Sequence, residues 1–201
     1  MPKIYDRTYF DRWYRQENLG IGSRQALMRK ARLAISTAEY YLGRPIHNVL
    51  DIGCGEGVWQ PVLKAERPKI SYLGLDSSEY VVERFGRTRN IRLATFGQLG
   101  ELRFDEGFDL IVCSDVLHYV RTPELKRGLR GIAEQLQGVA FLELFTADDA
   151  LAGDTDGFIA RSPRWYLSTF REAGLISCGS HCYLGPHLTA AVATLEVPML
   201  W

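Results

Sequence analysis

No stretch of this 201-residue chain approaches the roughly 20 consecutive apolar residues that cross a bilayer, so no membrane-spanning helix is expected. The first residues, Met1-Pro2-Lys3-Ile4-Tyr5-Asp6, lack the apolar core of a signal peptide. Neither sign of charge is in excess: 24 Lys and Arg stand against 24 Asp and Glu. That balance argues against nucleic acid as a partner, because phosphate binding needs a basic surface. The local basic run Arg24, Arg29, Lys30 and Arg32 has the spacing of the wet face of a helix. Cysteine is sparse. Cys54, Cys113, Cys178 and Cys182 form no CxxC pair, which suits a reduced, cytoplasmic protein. Cys178 and Cys182, even with His181 and His187 nearby, lack a standard zinc spacing, so no metal is expected. There is no repeat, no low-complexity tract and no long linker, and the length suits one domain over 1–201.

Helical and strand periodicities alternate along the chain, the pattern of an α/β sheet. Ser23 caps a predicted helix over 24–42, ended by Gly43 and Pro45. Strands are expected near 47–52, 70–75, 91–95, 108–113 and 139–145, with helices near 58–66, 79–87, 122–136 and 163–173. Pro61 falls in the first turn of its helix, where a missing N–H costs little. The fourth strand, Phe-Asp-Leu-Ile-Val-Cys, is bulky and apolar, as the buried centre of a parallel sheet requires. Two last strands, near 176–184 and 188–197, are close enough to pair as a hairpin. The expected architecture is a Rossmann-like, seven-stranded, mostly parallel sheet with helices on both faces and a C-terminal antiparallel hairpin.

One segment carries chemistry: Val49-Leu50-Asp51-Ile52-Gly53-Cys54-Gly55-Glu56-Gly57, at a strand end where a helix begins. Glycines there let the backbone turn sharply and let a ligand approach the peptide groups. A dinucleotide site would read G-x-G-x-x-G, but Val58 stands at its third glycine. A pyrophosphate wants bare N–H groups and no carboxylate beside it, whereas Asp51 lies two residues before Gly53. The segment closely resembles motif I of the class I S-adenosylmethionine-dependent methyltransferases, whose cofactor brings a cationic amino group and a sulfonium.

The resemblance runs from about residue 47 to 197. It implies a cofactor surface formed by Asp51, Gly53, Cys54, Gly55 and Gly57, then Asp76 and Ser77, Gln98 and Leu99, and Ser114 and Asp115. Asp76, 19 residues after Gly57, would accept from both ribose hydroxyls. Gln98 stands where many members carry the acid that meets the adenine amino group, and its amide oxygen could still accept that bond. His118 follows the fourth strand, where the family's loop borders the methyl donor, and is the expected general base. The Asn/Asp-Pro-Pro-Tyr signature of amino-group methylation on adenine or glutamine is absent. Tyr9, Phe10, Trp13 and Tyr14 share one helical face, readable either as a lid over residues 1–20 or as ordinary core. Residues 146–162 form a short acceptor-side insertion, with Glu143, Asp148, Asp149, Asp154 and Asp156 around it. Solvated loop acids are the default reading of that group, with Glu143 an alternative base. The compact size and small insertion favour a small-molecule acceptor. The competing reading is a non-catalytic S-adenosylmethionine-binding protein in regulation or assembly.

Overall fold

The computed structural model describes residues 3–15, 23–150 and 153–196. Seven strands form one sheet in the order β3-β2-β1-β4-β5-β7-β6: β1 (Asn48–Ile52), β2 (Ser71–Asp76), β3 (Ile91–Leu93), β4 (Phe108–Ser114), β5 (Leu136–Glu143), β6 (Ile176–Gly179) and β7 (Cys182–Leu184). β1 to β5 run parallel, and β7 is antiparallel to both its neighbours. The helices are α1 (Arg7–Arg15), α2 (Arg24–Leu42), α3 (Trp59–Glu66), α4 (Glu79–Arg89), α5 (Thr122–Gln135), α6 (Pro163–Glu172) and α7 (Pro186–Thr189).

Alternation along the strands builds two cores. Leu50, Ile52, Ile111, Cys113, Ala140 and Leu142 face α5 and α6. Val49, Leu110, Val112, Val139 and Phe141 face α2 and α3. Ser23 caps α2 by accepting from the Ala26 N–H at 3.2 Å, and Gly43, at φ 64°, ends it in the left-handed region. Asp109 is buried at the head of β4. Both its oxygens meet the Arg44 guanidinium at 2.8 Å, and one also accepts the His47 N–H, which fixes the entry to β1. That guanidinium and the N–H hold the Asp109 carboxyl below its ordinary range, against the opposing effect of burial.

Two glycines let α5 press on the short 3-10 turn Phe96–Gly100. A Cβ at Gly131 would lie 2.5 Å from the Leu99 carbonyl carbon, and one at Gly128 would overlap Phe96. Gly131→Ala therefore forces backbone against backbone. It is expected to lower the unfolding free energy in urea titrations by about 1–3 kcal/mol, and an unchanged midpoint would mean that the turn yields freely.

The C-terminal end departs from the sequence expectation. The hairpin forms inside the segment read as one strand, 176–184, with Ser180 and His181 turning at φ 49° and 64°. Two central residues in that region match the twist of antiparallel strands. The alternation of Ile-Ser-Cys-Gly-Ser-His-Cys-Tyr-Leu hides the turn, because it carries no Asn-Gly pair. The strand expected over 188–197 is absent among the described residues, and Val197 lies outside them. Pro186 lacks an N–H and opens α7, while the Gly185 carbonyl accepts from Leu188 and Thr189; a 3-10 turn, Thr194–Glu196, follows.

Candidate active site

The strand order reverses between β1 and β4, and in open α/β sheets ligands bind beyond the carboxyl ends of strands at such a point. A cavity of about 650 Å³ opens there. Its floor is the turn after β1. Gly53 and Gly55 adopt φ 65° and 53°, and the Gly53 and Cys54 N–H groups both donate to the Leu75 carbonyl. Asp76 ends β2 with both oxygens engaged: Oδ2 accepts the Gly55 N–H at 2.7 Å and Oδ1 the Ser78 N–H at 2.9 Å. Burial pushes its pKa up, and those backbone donors oppose the shift. Asp51 lies beneath, 2% exposed, accepting from the Tyr72 hydroxyl at 2.7 Å. Burial raises its pKa to about 7 against the Tyr72 hydrogen bond, and the neighbouring Asp76 charge adds to the rise.

Asp51, Gly53, Cys54, Gly55, Asp76, Ser77, Leu99, Ser114 and Asp115 all line the cavity. Gln98 and Gly57 do not. The Gln98 side chain is exposed, and its amide oxygen caps the 3-10 turn by accepting from the Thr95 N–H at 2.8 Å and hydroxyl at 3.0 Å. That oxygen, expected to meet adenine, is engaged with Thr95 here, and Thr95, Gly97 and Leu99 line this part of the cavity. Gly57, at φ 74°, serves the turn, its N–H donating to the Cys54 carbonyl.

At the end of β4, Asp115 stands at φ 64°, a left-handed conformation that aspartate tolerates better than most residues. Its carboxylate lines the cavity mouth and is 60% exposed. Partial desolvation by the cavity walls raises its pKa to about 6, and the Glu143 charge adds to the rise. Glu143 accepts from the Ser114 hydroxyl at 2.5 Å and pairs with Lys30 at 2.6 Å. Lys30, expected on a wet helix face, thus reaches the site from α2.

His118 is 1% exposed, among the rings of Tyr119, Phe145 and Phe158. Its Nδ1 accepts the Phe145 N–H at 3.3 Å, so the proton belongs on Nε2, which faces Asp115 Oδ1 at 3.5 Å. Burial, assisted by the Lys3 charge, lowers its pKa to about 4. In this arrangement its lone pair is used, which does not suit a proton acceptor. The buried Arg161 braces the same loop, donating to the Val120 carbonyl at 2.8 Å and the Thr122 hydroxyl at 3.0 Å.

α1 roofs the cavity. Phe10 is core, stacked 5.6 Å from Tyr80, while Tyr9, Trp13 and Tyr14 line the interior; residues 1–2 and 16–20 of the expected lid lie outside the described residues. A Cβ on Gly55 would overlap the Tyr14 hydroxyl. Arg15 pairs with Glu56 at 2.6 Å, and the Ser78 hydroxyl donates to the Tyr5 carbonyl at 2.5 Å, so the roof is tied at both ends. Of the acids expected as a solvated loop cluster, Asp148, Asp149 and Asp156 are exposed, whereas Glu143 and Asp154 line the cavity. Lys3, Lys30, Tyr119 and Arg161 carried no sequence signal, because each acts through partners remote in the chain.

The chain matches a family model described as a methyltransferase domain over residues 21–183. No curated protein matches it. Among solved structures it is similar to DesVI of Streptomyces venezuelae, at 16% identity and a TM-score of 0.62, covering 81% of this chain and 93% of that one. It is similar to the sugar N-methyltransferase KedS8 of a Streptoalloteichus species, at 16% identity and 0.59, covering 87% and 85%. An S-adenosylmethionine-dependent methyltransferase of Clostridium acetobutylicum gives 17% identity and 0.59, covering 89% and 97%. At such identities these structures speak for the fold, while the family model spans most of the sequence. The chain belongs to the methyltransferase domain family and is an S-adenosylmethionine-dependent methyltransferase.

Proposed function

We propose that this enzyme methylates a small molecule in the cavity beneath α1. The observation that carries this reading is the size of that cavity. A cavity of about 650 Å³, roofed by α1, lies within the ~300–1,000 Å³ of small-ligand sites and has to take cofactor and acceptor together. The solved structures it resembles include a sugar N-methyltransferase and the mitomycin 7-O-methyltransferase MmcR. Among the described residues, no helix is long and apolar enough to cross a membrane.

The residues present fit the cofactor. Gly53 and Gly55 turn the backbone where Val116 and the Tyr14 hydroxyl leave no room for a side chain, and Asp51, Asp76 and Asp115 line the cavity with acidic groups suited to a cationic ligand. When bound, S-adenosylmethionine supplies an already activated methyl group. The chain's own residues then hold the partners in line, an effect worth roughly 7–11 kcal/mol in favourable intramolecular cases. Asp76 would accept from the ribose hydroxyls with the acceptor capacity its two backbone donors leave free. Asp115 is the group placed to take a proton at its Oδ atoms, with His118 Nε2–H steadying it.

Two measurements test the reading. Methyl-labelled cofactor incubated with cell extract should leave label in the ultrafiltrate, and label confined to precipitated protein or nucleic acid would overturn the small-molecule assignment. Asp76→Ala should weaken S-adenosylhomocysteine binding by about 1–3 kcal/mol and weaken a 2′,3′-dideoxy analogue much less. Equal losses would make Asp76 a structural residue that holds the Gly55 peptide.

A further inference from the structure

One part of the cavity wall holds a half-buried ammonium group. Lys3 Nζ lies 4.0 Å from the centre of the Tyr119 ring, 5.4 Å from Tyr9 and 5.5 Å from Tyr5. It pairs with the Asp154 carboxylate and donates to the Asp156 carbonyl at 2.8 Å. The Lys3 and Asp154 side chains are only 13% and 12% exposed. Three rings within about 6 Å and one carboxylate are the elements of an aromatic cage, which attracts a cation through the rings' negative faces. The cage is held in shape without the lysine. The Tyr119 hydroxyl donates to the Asp154 carbonyl at 2.6 Å, Tyr5 is anchored through Ser78, and Tyr5 and Tyr9 meet edge to face at 5.0 Å.

Charge narrows the occupant. Acids outnumber bases on the cavity wall, and Lys30 is already held by Glu143. If Lys3 withdraws, Asp154 is left facing three rings with no counter-charge. A buried carboxylate without a partner is costly, so an anion is excluded and a neutral hydroxyl leaves the charge unmatched. A cationic amine restores both the ion pair and the ring contacts.

Resting on the methyl-transfer reading above, we propose that Tyr5, Tyr9, Tyr119 and Asp154 form the acceptor subsite for the ammonium group of an amine, and that Lys3 fills this place until the acceptor arrives. The acceptor class is thus a small molecule that carries an ammonium group as a recognition handle, separate from the neutral atom that takes the methyl, and Asp154 selects it. Lys3 is a tethered stand-in, displaced by the ligand whose head group it copies.

The test vacates the cage and offers it a minimal cation. Lys3→Met protein, saturated with S-adenosylhomocysteine, is titrated with tetramethylammonium chloride and, separately, with tert-butanol as a neutral probe of similar shape, by methyl-proton NMR. Tetramethylammonium should bind at least about tenfold tighter to Lys3→Met than to wild type, tert-butanol should gain little, and Lys3→Met/Asp154→Asn should lose the gain. In the unaltered protein, tetramethylammonium should speed acetylation of Lys3, read by mass spectrometry, which gives the same answer without a substitution. No gain in Lys3→Met, an equal gain for tert-butanol, or a gain that survives Asp154→Asn each overturns the proposal. The same titrations without S-adenosylhomocysteine read the cage alone. Failure of S-adenosylhomocysteine to bind therefore counts against the methyl-transfer reading, separately from failure of the cage.

Discussion

Gly55→Val is expected to abolish S-adenosylhomocysteine binding in calorimetry, by more than about a hundredfold. Gly55 sits at φ 53°, a conformation that costs a side-chain-bearing residue roughly 1–2 kcal/mol and a β-branched one more. The space above it is also shared. The Tyr14 hydroxyl stands where a Cβ would begin, and the Gly55 N–H donates to Asp76. A valine therefore strains the turn proposed to meet the ligand and pushes on the roof at once. Tyr14→Phe separates the two effects. It clears the hydroxyl while keeping the ring packed on Phe10, so it should bind S-adenosylhomocysteine at least as well as wild type. Wild-type heats from a folded Gly55→Val protein would remove the glycine turn from the cofactor site.

Asp115→Asn is expected to cut turnover by about 10²-fold or more, the usual scale for loss of a general base. The pH profile supplies the sign. Partial desolvation and Glu143 raise Asp115 to about 6, so the carboxylate is ionised above that pH and protonated below it. The wild-type rate should fall as pH drops through about 6, and Asp115→Asn should lack that limb. His118→Gln should keep it, because the imidazole is neutral at every pH above about 4. A limb that survives Asp115→Asn and vanishes in His118→Gln returns the base to the histidine.

The helices and the parallel strands were legible because each is a local periodic pattern with its own stop signals. Ser23 and Gly43 bracket α2 as their chemistry requires. The glycine turn and Asp76 were legible for the same reason: a short spacing encodes a strand end. Three kinds of feature were not. The turn at Ser180 and His181 is set by pairing of β7 on β5, not by turn-forming residues. Gln98 and His118 sit at family positions, but where their lone pairs go depends on Thr95 and Phe145 backbone groups that no motif records. Lys3 with Asp154, and Lys30 with Glu143, join residues more than a hundred positions apart, and each looks like ordinary surface charge until the fold closes.

The Tyr14 hydroxyl over Gly55 has a kinetic corollary. A ligand lying flush against that peptide requires the Tyr14 hydroxyl to move aside, so the dissociation constant to be measured is the intrinsic one divided by the fraction of molecules in which it has done so. The Arg15–Glu56 pair, which lies outside the cavity lining, ties α1 over the turn and sets part of that fraction. Severing it should tighten the observed affinity and quicken association, with every cofactor contact unchanged. Salt should do the same in the wild type, because the Arg15 end of the pair is 40% exposed and open to screening. On that reading, uptake of the methyl donor is governed by how often one tyrosine hydroxyl leaves the glycine turn.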